Sequence, residues 1–198
     1  SNWVMFKEGF RYFISHRKIV HLVLLHAALG LTSFDALVTL LADFTYKEII
    51  AVPLAIGWMN ATRALALTAG PFFVSKIINK NTLHYFFILE GFGIILWSQL
   101  QFNFYLGLIG LFAAGLFTTT LWSYTYLLIQ EEIDPKFMGR IISYNDMFFM
   151  LANVLVALFI GYGAEWGLSL QTITIILGMG FIATAGYYVW FRQRYLLT

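Results

Sequence analysis

Six stretches of this chain each run for about 20 residues or more with at most one fixed charge, and this repetition constrains the fold more than any motif does. They cover about 19–42, 49–75, 83–100, 104–129, 141–163 and 170–191. A helix needs about 20 mainly apolar residues to cross roughly 30 Å of hydrocarbon, so each stretch is long enough to be one span. Strands of an outer-membrane barrel would be about 10 residues long and would alternate in polarity, and these runs do neither. Composition agrees. The 198 residues are 60% hydrophobic and 11% charged, whereas soluble domains are about 45–50% apolar and about 25% charged. Unperiodic glycine and the lack of cysteine exclude collagen and a disulfide scaffold. The expectation is an all-α membrane protein with six transmembrane helices: a bundle over 19–198 preceded by a short segment, 1–18.

Polar and turn residues separate the spans, and their charges give an orientation. Lys7, Arg11, Arg17, Lys18, Lys76, Lys80, Lys136, Arg140, Arg192 and Arg194 all fall in segments on one side of a six-span chain. The other side holds only Lys47, and Arg63 lies inside a span. By the positive-inside rule both termini are expected in the cytoplasm. Within the leading segment, Trp3, Phe6, Phe10 and Phe13 recur at helical spacing with Lys7, Glu8, Arg11 and Arg17 off that stripe. This pattern predicts an amphipathic helix lying on the membrane face, not a cleavable leader.

Several segments resemble one family. Lys7-Glu8-Gly9-Phe10-Arg11-Tyr12 ahead of a span is similar to the approach to helix seven in drug- and siderophore-efflux-type members of the major facilitator superfamily. The run Gln130-Glu131-Glu132-Ile133-Asp134-Pro135-Lys136-Phe137-Met138-Gly139-Arg140 resembles that group's cytoplasmic loop between helices ten and eleven, and Gly161-Tyr162-Gly163-Ala164-Glu165-Trp166-Gly167-Leu168 its corner between helices eleven and twelve. Ser75-Lys76-Ile77-Ile78-Asn79-Lys80 stands where the family repeats a Gly-x-x-x-Asp-Arg-x-Gly-Arg signature, here without the Asp or the Gly after it. The resemblance covers essentially the whole chain, in order. It implies helices seven to twelve of a secondary transporter: a carboxy-terminal half folded as a three-plus-three inverted repeat in a cell membrane, a bacterial inner membrane for this group. It further implies proton-coupled antiport, exporting a small amphiphilic compound by alternating access. The partners it implies are the bilayer, the small-molecule substrate, and either an amino-terminal six-helix half or a second copy of the chain. It implies a cytoplasmic gating role for Gly139 and Arg140. A self-sufficient homodimeric half-transporter, and a six-helix module that binds a partner protein or lipid without transport, are the competing expectations.

Ionisable side chains inside a membrane are costly and need a reason. Arg63 cannot lose its proton, so it requires a carboxylate, carbonyls, water or an anionic ligand. Asn60 stands three residues before it on the same helical face. Asp35, on a projected face with Ala28, Thr32, Thr39 and Ala42, is the candidate proton carrier. Asp146 and Asn153, seven residues apart, are expected to share a face of the fifth span. Glu90 is expected to pair with Arg63 or with another helix. Thr119, Ser123 and Tyr126 on the fourth span, with Thr32 on the first, form a candidate pocket wall. Pro71 is a candidate hinge. The tryptophans Trp58, Trp97, Trp166 and Trp190 read as interfacial belt residues.

Enzyme chemistry has no motif here: HExxH, GxSxG, Walker and Rossmann patterns are all lacking. His16, His21 and His26 are five residues apart, so successive rings turn about 140° from one another on a helix and do not converge on a metal. A net charge of +2 gives no reason to expect nucleic acid. No cofactor is expected.

Overall fold

The structure, a computed structural model, describes residues 2–197. Its elements are α1 (Asn2–Ser15), α2 (Arg17–Ala27), a 3-10 segment (Ala28–Thr32), α3 (Asp35–Leu40), a π turn (Leu41–Thr45), α4 (Val52–Val74), α5 (Leu83–Leu100), α6 (Phe104–Gly115), α7 (Thr118–Glu132), a 3-10 turn (Pro135–Phe137), α8 (Met138–Glu165) and α9 (Leu170–Tyr195). The described residues are all helix and connecting turn. Five helical stretches are long and apolar enough to cross a membrane: Arg17–Thr45, Leu83–Leu100, Phe104–Glu132, Pro135–Glu165 and Leu170–Tyr195. That makes the chain a membrane protein by length and composition. The remaining expected span, α4, has 23 residues, but Asn60, Thr62 and Arg63 leave it less apolar than those five.

Two of the long stretches are broken near their middles. In Arg17–Thr45, α2 tightens into the 3-10 segment and the chain leaves helical geometry at Ser33 before α3 begins. The Thr32 hydroxyl donates to the Leu29 carbonyl at 2.7 Å, a local bond that competes with the regular α ladder. The expected face Ala28–Thr32–Asp35–Thr39–Ala42 does not survive this break. A 3-10 turn advances about 120° per residue instead of about 100°, so Ala28 and Thr32 are half-buried while Asp35 and Thr39 beyond the break are exposed, and Ala42, in the π turn that follows α3, is fully buried. In Phe104–Glu132, the break falls at Leu116–Phe117, between α6 and α7.

Small residues set the packing. Gly91 of α5 and Gly178 of α9 lie against each other's backbone: a Cβ on either would sit 2.7 or 2.8 Å from the other's carbonyl oxygen. Gly93 likewise meets Ala113 of α6, and Gly110 meets Trp97. Such contacts let α5 pack closely on both α6 and α9 without side chains between the backbones. Trp97 is fully buried, with its ring 5.0 Å from that of Phe34; it is a core residue and not part of an interfacial belt.

Polar contacts tie the two ends of the bundle. At one end Lys18 pairs with Glu132 (2.6 Å), Lys80 with Glu131 (3.6 Å), and Tyr188 donates to the Lys80 carbonyl (2.7 Å). At the other, Tyr46 donates to the Gln101 carbonyl, and Gln101 to Thr174, both at 2.8 Å. The amphipathic segment forms the expected helix, α1. It docks through buried Phe13 and leaves Trp3, Phe6 and Phe10 exposed.

Candidate functional site

The two interruptions face a common cavity of about 70 Å³, lined by Thr32 and Phe34 from the first break, Gly115 and Thr118 from the second, and Arg63 and Leu67 of α4. Arg63 is the only charged group lining it. Its guanidinium donates to Asp35 Oδ1 at 2.6 Å, to Asn60 Oδ1 at 3.4 Å and to the Thr32 carbonyl at 3.5 Å, and lies 5.6 Å from the centre of the Phe34 ring. Asn60, on the expected shared face, therefore meets Arg63, and the candidate proton carrier Asp35 and the backbone of Thr32 converge on it as well. The ion pair is asymmetric, with the Arg63 side chain 21% exposed and that of Asp35 81%. An acid placed so openly can be reached by water or ligand, whereas the guanidinium beneath it is held in the protein.

The elements around the cavity interlock. Pro71 has no N–H, so the Leu67 carbonyl lacks the donor a regular helix would give it; Thr119 of α7 supplies one across the helix boundary at 2.8 Å. Gly70 lies against the break itself, so closely that a Cβ there would stand 1.8 Å from the Leu116 carbonyl oxygen. Ala66, one turn away, lies against Gly115. On the opposite flank, Gly30 in the first break meets Ala152 and the backbone of Asn153 on α8. The half-buried Asn153 thus lies with its backbone beside the break, seven residues from the exposed Asp146, which accepts from Asn145 at 3.4 Å.

Glu90 does not meet Arg63. It is fully buried and accepts from the Phe117 N–H (3.2 Å) and the Thr118 hydroxyl (2.5 Å), capping the start of α7 inside the membrane region. The donors it serves are those a helix start leaves unpaired. Two residues of different spans, 27 positions apart, create this cap, so no local pattern announces it. Gly115 followed by the run Thr118-Thr119-Thr120 was the one available hint of a break.

The candidate pocket wall divides. The Thr119 and Thr32 hydroxyls are committed to backbone carbonyls. Ser123 is exposed, and Tyr126 stacks on Trp122 with ring centres 4.9 Å apart. These two rings and Phe149 surround His26, which is fully buried, bonds Thr125 through Nδ1 at 2.8 Å, and leaves Nε2 without a hydrogen-bond partner. Its spacing from His16 and His21 excludes a shared metal and carries no other sign of this aromatic cage. No metal-ligating cluster occurs among the described residues.

Arg140 serves α1. It donates to the Met5 carbonyl (3.1 Å), stands 3.8 Å from Glu8, and its Cδ would lie 2.9 Å from a Cβ on Gly9. Gly139 is exposed with open space around its Cα.

No protein-family model, curated protein or solved structure matches the chain.

Proposed function

We propose that this chain is a six-helix half of a secondary transporter of the major facilitator type, moving a small amphiphilic compound by alternating access with proton coupling. The observation that carries the reading is the meeting of two discontinuous spans at a cavity holding Arg63, with exposed Asp35 as its partner. Broken helices in corresponding positions of two halves are the usual pointer to a transporter's binding site.

Four further features support it. The packing is compatible with a three-plus-three repeat: α4 lies on the break of α6–α7, and α8 lies on the break of α2–α3. An offset of 87 residues relates Gly91 to Gly178, which touch reciprocally, and also Gly93 to Gly180, which meet Ala113 beside one break and Leu31 within the other. Exposed polar side chains at mid-helix depth, among them Asp35, Asn60, Ser123 and Asp146, belong to the first, second, fourth and fifth expected spans; the exposed mid-helix residues of α5 and α9 are Leu89, Phe92, Leu96, Ile176, Met179, Ala183 and Gly186. That division suits a wetted or partner-facing side formed by four helices and a lipid-facing side formed by α5 and α9. Finally, the turn before α4 shares an end with Gln101 and the turn after it shares the other with Tyr188, which suits α4 as the sixth crossing.

In this reading Asp35 carries the proton. When it is charged it holds Arg63; when it is neutral, Arg63 is released to an anionic group of the substrate or to a partner half. Because the chain has no cysteine, single cysteines at Lys47 and Lys76 can report sidedness: opposite labelling is expected, and same-side labelling removes α4 as a crossing. Everted vesicles containing the chain beside its complementary six-helix half, or a second copy, test transport. Uptake of an amphiphilic dye driven by a proton gradient and lost in Arg63→Ala is expected. Equal uptake by both forms would overturn the role of Arg63.

A further inference from the structure

Between α1 and the 3-10 turn Pro135–Phe137 lies a groove of about 540 Å³, away from the Arg63 cavity. Lys7, Arg11 and Lys136 line it, and none of the three makes an ion pair among the described residues. Glu8 also lines it, but is drawn toward Arg140 at 3.8 Å. Its apolar floor is Tyr12 stacked on Phe137, ring centres 4.2 Å apart. On the helical projection Lys7 and Arg11 are one turn apart and flank the exposed stripe of Trp3 and Phe10, with Lys7 5.3 Å from the Trp3 ring centre.

We infer that this groove binds the headgroup of an anionic phospholipid. A phosphate needs several cationic donors converging from more than one element, and here two come from α1 and one from the turn before α8. A free phosphate would share that chemistry. The aromatic stripe beside the cations favours the lipid: it sets α1 at the depth where aromatic side chains and headgroups meet, and an acyl chain leaving the groove passes directly onto apolar surface. Bound there, the lipid bridges α1 to the turn that starts α8. The inference requires that the chain lie in a bilayer but not that it transport anything, so the two readings fail separately.

The test is titration of the purified, delipidated full chain with dioctanoyl phosphatidylglycerol, dioctanoyl phosphatidylcholine and inorganic phosphate, with binding followed by native mass spectrometry. Saturable retention of the phosphatidylglycerol, weakened about tenfold or more in a Lys7→Gln/Arg11→Gln/Lys136→Gln variant, is expected. Lys7→Arg/Lys136→Arg should retain binding, and so should Lys47→Gln/Lys76→Gln as a charge control; both guard against a variant that merely misfolds. Equal retention of phosphatidylcholine, or binding indifferent to the triple substitution, overturns the site. Inorganic phosphate competing at the same concentration as the lipid overturns the lipid assignment.

Discussion

The Thr119 hydroxyl donates at 2.8 Å to the Leu67 carbonyl, the acceptor that Pro71 leaves unserved four residues later in α4. One helix's proline is thereby made tolerable by another helix's threonine, the kind of repair that lets prolines persist in membrane helices. The pair couples α4 to α7 at the level of the Arg63 cavity, and its strength can be measured.

Replacing Thr119 with Val leaves that carbonyl without a donor and should cost about 1 kcal/mol of stability in detergent. Pro71→Ala restores a donor within α4. In the double variant Thr119→Val/Pro71→Ala the cost should therefore shrink, and a double-mutant cycle by reversible denaturation measures the coupling. Strict additivity of the two changes would show that the bond contributes nothing.

Gly70→Ala should be far worse than its chemistry suggests. The added methyl would meet the Leu116 carbonyl oxygen at 1.8 Å, backbone against backbone, with no flexible side chain to yield. A loss of more than about 3 kcal/mol is expected, seen as loss of the monodisperse peak on fluorescence-detected size exclusion. Gly186→Ala, with nothing within 4 Å of its Cβ position, should behave as the parent does.

Glu90→Ala removes the acceptor for both the Phe117 N–H and the Thr118 hydroxyl, and should destabilise by about 2–3 kcal/mol. Glu90→Gln keeps an acceptor for the N–H, and its amide can donate to the hydroxyl, so it should cost about 1 kcal/mol or less. Thermal unfolding of the two variants side by side separates a capping role from a requirement for charge; comparable losses would count against the cap.

Asp35→Asn should leave the fold close to intact, because its side chain is largely exposed and Arg63 retains Asn60 and the Thr32 carbonyl. Under the transport reading it should nonetheless abolish proton-driven uptake, which vesicle assays at matched protein level can follow. Arg63→Lys should also fail, since an ammonium cannot reach three acceptors in the guanidinium's planar geometry.

Much of this protein is legible in one dimension. Length and polarity mark the helices: α5 runs Leu83–Leu100 as expected, and α9 begins at Leu170 as expected. The spacing of Trp3, Phe6, Phe10 and Phe13 gives α1. Arg63 and Asp35 stand out singly, because a lone charge in an apolar run has to be answered by something. What answers it was not legible. The breaks at Ala28–Phe34 and Leu116–Phe117 interrupt runs that look continuous, since a membrane helix can be broken wherever neighbouring elements take up its unpaired groups. Those neighbours come from distant parts of the chain: Glu90 takes up the Phe117 N–H at one break, and Ala152 packs on Gly30 at the other.

The sequence by itself determined which segments are helical, which are apolar enough to enter a membrane, and which side chains are too costly there to lack a purpose. Tertiary structure alone decided that Asp35 and not Glu90 partners Arg63, that Trp97 is core, and that Arg140 holds α1. The physical reason is range. Hydrophobicity and helical period act over neighbouring residues and are written in the local order of the chain, whereas the pairing of a buried charge or an orphaned carbonyl depends on which helices lie side by side.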